Sequence, residues 1–321
     1  MPDATYAPKT YRKQGGDEFV VANGGVFRVE SGGQFIGPNP SGGADYFVDL
    51  NVTAAAALTA DGSSWATAYQ TIAAAITASN VSIGLAANRW WARRNRIFVA
   101  GDGIEEDLTV LPEKCDIIGV GTDLYPFPRV IGHHNIAVLA VGCRFINMGF
   151  QCDQAGDLFI IPASCHGLQF VGCTFVPATG GTTKALEITD CALVKILDCR
   201  FDVMTGVMTK IFAVAISIEG TVCHETVIDG NVITATAGIA VVEVGAAAFG
   251  SIISNNIIRA TDLAIDDNSD DFMVVNNRWM TDINTSTSTA GWDFNLALAA
   301  GNIQNGATGL CDTVPFTKIA E

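Results

Sequence analysis

Four aspartates near residue 270 come closest, by type and spacing, to catalytic chemistry. The stretch "TDLAIDDNSDD" (261–271) contains two adjacent pairs, Asp266–Asp267 and Asp270–Asp271. Two carboxyl groups roughly 5–10 Å apart can hydrolyse a glycosidic bond, one as acid and one as base or nucleophile. Adjacent aspartates on a turn more often cap the turn or face solvent. The four are therefore weak catalytic candidates, and the stretch lacks the regular spacing of a calcium-binding loop.

Other enzyme signatures are missing or out of order. Polygalacturonase-like enzymes carry paired aspartates and, further on, a GHG and an RxK, whereas here "GHH" (132–134) precedes the aspartates and no matching RxK follows. Calcium-dependent pectate lyases need an acidic metal site. Arg200 and Asp202 could belong to such a site, but nothing in the sequence identifies a third ligand. The sequence also lacks a P-loop, a dinucleotide fingerprint and a GxSxG motif. We expect no cofactor, no metal and no enzymatic activity.

One basic, aromatic cluster is a candidate binding site. In "NRWWARRNR" (88–96), Trp90 and Trp91 stand among arginines, and such a cluster can hold an anionic polymer or a glycan by stacking and charge. The alternative is a loop leaving a helix, with the tryptophans half buried and the arginines solvated.

The nine cysteines do not form a disulfide framework or a zinc ribbon. Their number is odd, no secretory leader is recognisable, and no CxxC pair exists. A metal or redox cluster of Cys165 and Cys223 with the adjacent His166 and His224 is the alternative. Because neighbouring residues on a strand point to opposite faces, each pair converges poorly. We expect free thiols with a packing role.

Several of the cysteines occur within a repeated six-residue motif. "FVGCTF" (170–175) returns five times, as "AVGCRF", "ILDCRF", "IDGNVI", "ISNNII" and "VVNNRW". The fourth residues form one predicted ladder: Cys143, Cys173, Cys199, Asn231, Asn256, Asn277. The residues eight positions earlier form a second: Asn135, Cys165, Cys191, Cys223, Ala248, Ser269.

Two columns at a fixed offset, separated by loops of varying length, are typical of stacked coils. Equivalent residues on adjacent strands stack roughly 4.8 Å apart, so an Asn at a bend can bond the Asn above and below it. Large apolar residues two places after the column fill the interior, among them Phe145, Phe175, Phe201 and Ile233.

The segments around the coils have distinct compositions. Residues 1–45 hold glycine pairs between short apolar strands, and Lys9, Arg12 and Lys13 make this arm basic, as an attachment device or a solvated tail. A strand and a helix starting near Ser64 are predicted within 46–95, coils within 96–283, and a C-terminal cap or extended tail within 284–321.

The order of these segments resembles a known superfamily. "DGSSWATAYQTIAAAI", followed by "RIFVAGDGIEEDLTV" and "CDIIGVG", is similar to the opening of pectate-lyase-like right-handed β-helix proteins. The resemblance implies an all-β fold: a right-handed, single-stranded parallel β-helix with a short N-terminal β arm. It also implies an N-terminal helix that caps the first coil, here through Trp65, Tyr69, Ile72 and Ile76.

The arm suggests a setting. "YRKQGGDEFVVANGGVFRVESGG" resembles the arm that opens head-decoration or spike proteins of tailed phages. This implies a non-enzymatic virion protein, a homotrimer that contacts capsid or neck proteins and is assembled in the host cytoplasm. The alternative is a tailspike-type β-helix that binds or degrades a host surface polysaccharide.

Charge and hydropathy exclude other partners. The net charge of −15 disfavours nucleic acid and acidic membranes. No stretch approaches the roughly 20 apolar residues of a membrane span. We therefore expect neither nucleic acid nor membrane as a partner.

Overall fold

The computed structural model describes most of the chain between residues 43 and 279, together with short pieces on either side. The described residues are 10–12, 19–21, 43–49, 52, 60–85, 93–121, 128–137, 140–153, 155–177, 183–201, 211–243, 250–262, 264–267, 272–279, 283–284 and 296–297. The chain divides into two units, 1–38 and 39–321.

The first unit contains an antiparallel strand pair. Strand β1 (Thr10–Arg12) pairs with β2 (Phe19–Val21), with Tyr11 opposite Val20. The glycine pair at positions 15–16 lies between them in the sequence, as expected for strands joined by a tight turn.

In the second unit, nine strands form one parallel sheet. Its order, read from one edge, is the reverse of the chain order. The strands are β3 (Asp45–Asp49), β4 (Asn95–Ala100), β6 (Cys115–Gly119), β9 (Arg144–Ile146), β12 (Gln169–Val171), β15 (Lys195–Leu197), β18 (Val227–Asp229), β20 (Ser251–Ser254) and β23 (Phe272–Val275).

The other fifteen strands of this unit form a second sheet, also parallel. They are β5 (Ile104–Glu105), β7 (Arg129–Ile131), β8 (His134–Asn135), β10 (Gly149–Gln151), β11 (Phe159–Ile161), β13 (Thr174–Val176), β14 (Lys184–Thr189), β16 (Arg200–Phe201), β17 (Phe212–Gly220), β19 (Val232–Glu243), β21 (Ile257–Ala260), β22 (Ile265–Asp267), β24 (Arg278–Trp279), β25 (Ile283–Asn284) and β26 (Leu296–Ala297). The expectation of an all-β chain with parallel strands and one helix is confirmed.

Alternating strand residues build the core, because successive side chains on a strand point to opposite faces. One buried column of the nine-stranded sheet passes from Phe145 through Phe170 and Ile196 to Ile228. Rings stack between neighbouring strands: Phe175 and Phe201 lie 4.6 Å apart at 9°. Each such aromatic pair contributes about 0.5–1.5 kcal/mol beyond the area it buries.

Left-handed residues precede twelve of the described strands, six in each sheet. In the fifteen-stranded sheet one lies two positions before six of the strands: Asn147, Gly172, Asp198, Gly230, Asn255 and Asn276, with φ between 52° and 70°. Asn, Asp and Gly are the residues that adopt this conformation most readily. A second set of left-handed residues lies one or two positions before six strands of the nine-stranded sheet. These residues are Lys114, Gly142, Gly167, Leu193, Glu225 and Gly250. The same local motif thus opens strands of both sheets.

The single described α-helix, α1 (Ile72–Leu85), begins later than the sequence predicts. Near the predicted start at Ser64 the chain forms only a short 3-10 helix, Trp65–Thr67, after which Tyr69 bridges to Val48. The helix starts where the Glu106 carboxylate accepts hydrogen bonds from the amides of Ile72 (2.8 Å) and Ala73. A cap that comes from 33 residues away is invisible to local propensity.

The helix packs on the first strands of the nine-stranded sheet. Strand β3 forms one edge of that sheet, and α1 contacts β3 and β4. Ile72 and Ile76 are buried in the common core, Tyr69 packs against it, and the Trp65 ring lies 4.9 Å from that of Phe47 in β3.

Candidate functional site

Asn231, Asn256 and Asn277 form a closed hydrogen-bonded ladder. The Asn256 side-chain oxygen accepts bonds from the backbone amide and the side-chain amide of Asn231, both at 2.9 Å. Asn277 repeats this arrangement for Asn256, at 3.0 and 2.9 Å. The side-chain amides of Asn231 and Asn256 also donate to the carbonyls of Ile196 and Ile228. All three asparagines are fully buried, and their bonds leave no group of the ladder aimed at a substrate.

The column continues from the ladder into cysteines. Strand register places Cys199 beside Asn231 and Cys173 beside Cys199, and the Cys199 amide donates to the Asn231 side-chain oxygen at 2.9 Å. The Cys173 thiol donates to the Phe145 carbonyl at 3.4 Å. Burial raises the pKa of the Cys199 thiol well above its usual value. Such thiols are poor nucleophiles.

Cys165, Cys191 and Cys223 are likewise buried. Cys191 donates to the Pro162 carbonyl at 3.2 Å and Cys223 to the Glu219 carbonyl at 3.1 Å. A hydrogen bond with Cys165, together with burial, raises the pKa of Cys191. The eight cysteines of the described ranges are all unbridged and buried.

Two residues assigned to the columns lie elsewhere. Arg144 pairs with Gln169, so Cys143 belongs to the nine-stranded sheet, whereas Cys173 opens a strand of the other sheet. The register places Met148 beside Cys173. The prediction for Cys143 was wrong because "AVGCRF" carries the same left-handed residue before a strand, at a different corner of the chain.

Asn135 was also misplaced. It pairs with Ile160 in β11, five positions before Cys165, and so lies outside the Cys165 column. The other two members predicted for that column, Ala248 and Ser269, lie outside the described residues.

The acidic candidates are only partly described. Asp266 lies in β22 with a half-buried side chain, between Ala240 and Asn284 in the register. Asp267 is the last residue of that strand, and Asp270 and Asp271 lie outside the described residues.

The other candidate residues fall largely outside the described ranges too. Trp90, Trp91, Lys9 and Lys13 lie outside them, and Arg12 is the last residue of β1.

Lys184 holds two carboxylates on the same sheet as Asp266, in a strand three positions away in the sheet order. The Lys184 ammonium lies 2.6 Å from Glu187 and 2.5 Å from Glu219. Burial would raise the pKa of Glu219, but hydrogen bonds from Lys184 and Ser217 outweigh burial and lower the pKa. Burial would lower the pKa of Lys184, but the two glutamates outweigh it and raise the pKa. A glycosidase pair needs one protonated carboxyl, so these residues form an ion-pair triad that suits stability rather than hydrolysis.

A second charged cluster covers the nine-stranded sheet. The Asp116 carboxylate lies 2.5 Å from both Arg94 and Arg144, and Arg96 pairs with Asp45 at 2.6 Å. Burial works to raise the pKa of Asp116, but the two arginines outweigh it and lower the pKa. These charges satisfy one another across neighbouring strands.

Sequence reasoning missed a cluster at the ends of β7 and β10. Their register brings His133 next to Asp153, with Cys152 one residue earlier. The Cys152 sulfur lies 3.4 Å from His133 Nε2, and an Asp153 oxygen lies 3.5 Å from the same nitrogen. His133 Nδ1 lies 2.6 Å from the Asp157 carbonyl oxygen. The signal was the "GHH" motif, but its partner "QCD" is one turn of the chain away.

An acidic cavity adjoins this cluster. It encloses about 340 Å³ and is lined by Glu105, Glu106, Asp107, Ile131 and Asp153. Its lining comes from the ends of β5, β7 and β10, which are neighbours in the sheet.

Close packing at a glycine forms part of the wall. A side chain at position 132 would clash with the Asp107 carboxylate and the Glu106 carbonyl, so Gly132 lets the segment after β5 approach β7. The amide of His133 donates to Asp107 at 2.7 Å. Glu106 and Asp107 therefore stabilise the local backbone through hydrogen bonds, in addition to lining the cavity with carboxylates.

His134 points into the core instead. Its Nδ1 accepts a hydrogen bond from the Leu108 amide at 3.1 Å, and its ring packs 4.4 Å from that of Phe159. Burial lowers the pKa of His134 to about 3, so the imidazole is neutral at pH 7.

Within the described ranges, no three His, Cys, Asp or Glu side chains are grouped as a metal ion requires. In the same part of the chain, no helix is both long and apolar enough to cross a membrane.

Comparison with known proteins adds no relative to these observations. No family model matches the sequence, no curated protein matches it, and no solved structure matches it.

Proposed function

We propose that the two parallel sheets are successive faces of one right-handed, single-stranded parallel β-helix. The order of the strands supports this winding, because the chain passes repeatedly from one sheet to the other. Each strand pairs in parallel with strands about one turn earlier and later, and the turns of the Asn column are 32, 25 and 21 residues long. Parallel pairing between strands one turn apart, connected through loops of varying length, is the pattern of stacked coils.

The proposed role of this body is structural and non-enzymatic. The observation that carries the proposal is the Asn231–Asn256–Asn277 ladder, in which the most regular polar residues of the sequence bond to one another inside the core. Lys184 and Asp116 likewise sit in ion pairs that keep their neighbours charged. Polar groups satisfied in this way hold a scaffold and leave little for chemistry on a substrate.

The proposed setting is the surface of a tailed-phage virion, with the protein as a trimeric decoration or spike on the capsid or neck. Two observations support it: the likeness of residues 11–33 to phage attachment arms, and the division of the chain into an arm unit and a body unit. Trimerisation would cover strand edges of the arm and multiply weak capsid contacts into avidity.

Electron microscopy of the purified protein and of its parent particle tests this proposal. We expect symmetric trimers at regular positions on the shell or collar. Deletion of residues 1–40 should give monomers by light scattering, and a trimer that survives the deletion would move the interface to the body. Free monomers, or trimers only at the host-facing tail tip, would contradict the structural role. They would favour a tailspike-type polysaccharide protein, with Asp266 and Asp267 as the first residues to substitute.

A further inference from the structure

Cys152 has chemical surroundings unlike those of the column cysteines. The sulfurs of Cys173 and Cys199 face backbone carbonyl oxygens at 3.4 and 3.3 Å. A carbonyl oxygen accepts a hydrogen bond from a thiol but is too weak a base to deprotonate it. The sulfur of Cys152 faces a ring nitrogen of His133 at 3.4 Å. Thiol and imidazole at this distance are the arrangement that activates a cysteine.

The contacts of His133 decide which nitrogen is basic. The Asp157 carbonyl can only accept, so Nδ1, at 2.6 Å from it, carries the hydrogen. In the neutral ring Nε2 then holds the lone pair, and the Cys152 thiol donates to it. Gly156 keeps this geometry, since a side chain there would lie 2.9 Å from the His133 ring. After proton transfer the imidazolium faces the Asp153 carboxylate at 3.5 Å.

The surrounding wall selects the charge of whatever approaches. The four acidic residues of the 340 Å³ cavity create a negative potential beside the thiol, which concentrates cations and repels anions. Cys152 itself is 1% exposed, whereas the Asp153 side chain is 47% exposed. A reagent therefore reaches the sulfur only when the chain around it opens locally, which restricts access to small molecules.

We propose that Cys152 is a modification site that exchanges with small cationic disulfides, with His133 as its base. The Cys152 proton moves to His133 Nε2, and the sulfur attacks one sulfur of the disulfide. The new S–S bond forms as the old one breaks, and the departing thiolate takes the proton from the imidazolium. The products are a mixed disulfide on Cys152 and one free thiol, so the incoming disulfide is the only oxidant.

Peptide mapping by mass spectrometry after brief treatment of the full native chain tests this site. The probes are cystamine, a dication, and oxidised glutathione, an anion. We expect Cys152 to be modified before the other cysteines and at least tenfold faster by cystamine at low salt. The preference should shrink in 0.5 M salt, because screening weakens the field of the wall.

Three variants separate the parts of the proposal. His133→Gln should slow exchange at pH 7 at least tenfold and make the rate rise about tenfold per pH unit, as for a thiol with no base beside it. Asp153→Asn, at an exposed position that the fold does not require, should reduce the preference for cystamine. Glu187→Gln removes an acid outside the cavity lining and should leave that preference unchanged.

The proposal would be overturned by any of three results. These are reaction of Cys152 only at the rate of Cys173 and Cys199, equally fast modification by both reagents, and reactivity that persists in His133→Gln with an unchanged pH profile. Thermal unfolding of each variant checks that it is folded. If His133→Gln does not fold, Asp153→Asn still tests the proposal.

Discussion

The buried column that runs from Cys173 to Asn277 is filled by different types of side chain at its two ends. At Cys173 and Cys199 it holds thiols, and the nearby core is aromatic, with Phe145, Phe170 and Phe175 in contact. At Asn231 and Asn256 it holds amides, and the nearby core residues are isoleucines such as Ile228. One backbone corner is thus filled in two ways, by buried thiols that donate to backbone carbonyls or by amides that bond to one another. The amide end is the less tolerant of change, because a missing partner leaves buried polar groups unsatisfied.

The largest effect should come from removing the middle of the ladder. Asn256→Ala leaves the backbone amide and one side-chain hydrogen of Asn231 without acceptors and removes the bond that the Ile228 carbonyl accepts from Asn256. At roughly 1–3 kcal/mol for each of these three groups, we expect a loss of about 3–9 kcal/mol in the free energy of unfolding. Urea denaturation measures it.

Asn255 is the matched control for that substitution. It is exposed and left-handed, with φ of 56°, so Asn255→Gly keeps the backbone conformation and should cost at most about 1 kcal/mol. A small loss for Asn256→Ala, similar to that of the control, would mean that the ladder contributes little.

The aromatic end should lose somewhat less when a ring is removed. Phe175 is fully buried and stacks on Phe201 at 4.6 Å and on Phe150 at 5.6 Å. Phe175→Ala should cost about 3–5 kcal/mol through lost burial and the cavity left behind. Thr174→Ala, one residue away with a side chain on the opposite face, is the control in the same denaturation series. A near-zero change at Phe175 would contradict its interior position.

The buried His134 makes stability depend on pH. Its folded pKa of about 3 lies below the unfolded value of about 6.5, so its contribution is complete above pH 6.5 and is lost as pH falls toward 3. At pH 5 the expected loss is about 2 kcal/mol. Burial causes the shift, Asp107 opposes it, and His133 adds to it.

Comparison of stability curves isolates this contribution from that of the carboxylates. His134→Gln keeps an acceptor for the Leu108 amide, and its curve should fall less steeply between pH 6.5 and 4 than that of the parent chain. His224→Gln, at a half-buried position, is the control for the general effect of a His-to-Gln substitution on stability. Equal slopes for His134→Gln and the parent would rule out the buried neutral imidazole.

The smallest effect should come from extending the ladder by one turn. In Cys199→Asn the new side-chain amide can donate to Asn231, which already accepts a bond from the residue 199 backbone amide. We expect a change within about 1 kcal/mol in either direction, because new hydrogen bonds offset the lost sulfur packing. A loss as large as that of Phe175→Ala would show that the thiol end cannot accommodate an amide.

The sequence predicts the repeated strands well and their assignment to a sheet less well. Phe175, Phe201 and Ile233 are buried as their spacing indicated, because period-2 alternation is local information. Cys143 was misplaced because strands of both sheets are preceded by a left-handed residue and then a small buried residue. The amino-acid types alone do not show which of the two sheets such a pair belongs to. Met148, the true neighbour of Cys173, was hidden in "FINMGF", which shares the backbone of the motif but not its cysteine.

Contacts between turns were the part that sequence could not supply. His133 and Cys152 are 19 residues apart and meet only because β7 and β10 pair. Glu106 starts α1 from 33 residues away, so the helix begins at Ile72 rather than near Ser64. Both depend on register, which is set by the whole sheet rather than by the residues involved.

Hydrogen exchange of the asparagine side-chain amides tests the structural ladder most directly. In ¹⁵N-labelled protein, the side-chain NH₂ groups of Asn231 and Asn256, assigned by single substitutions, should exchange as slowly as the core backbone amides. Both hydrogens of each group are bonded and buried, so exchange requires a cooperative opening of the sheet. Exchange as fast as that of the exposed Asn255 side chain would contradict the ladder and the structural role argued from it.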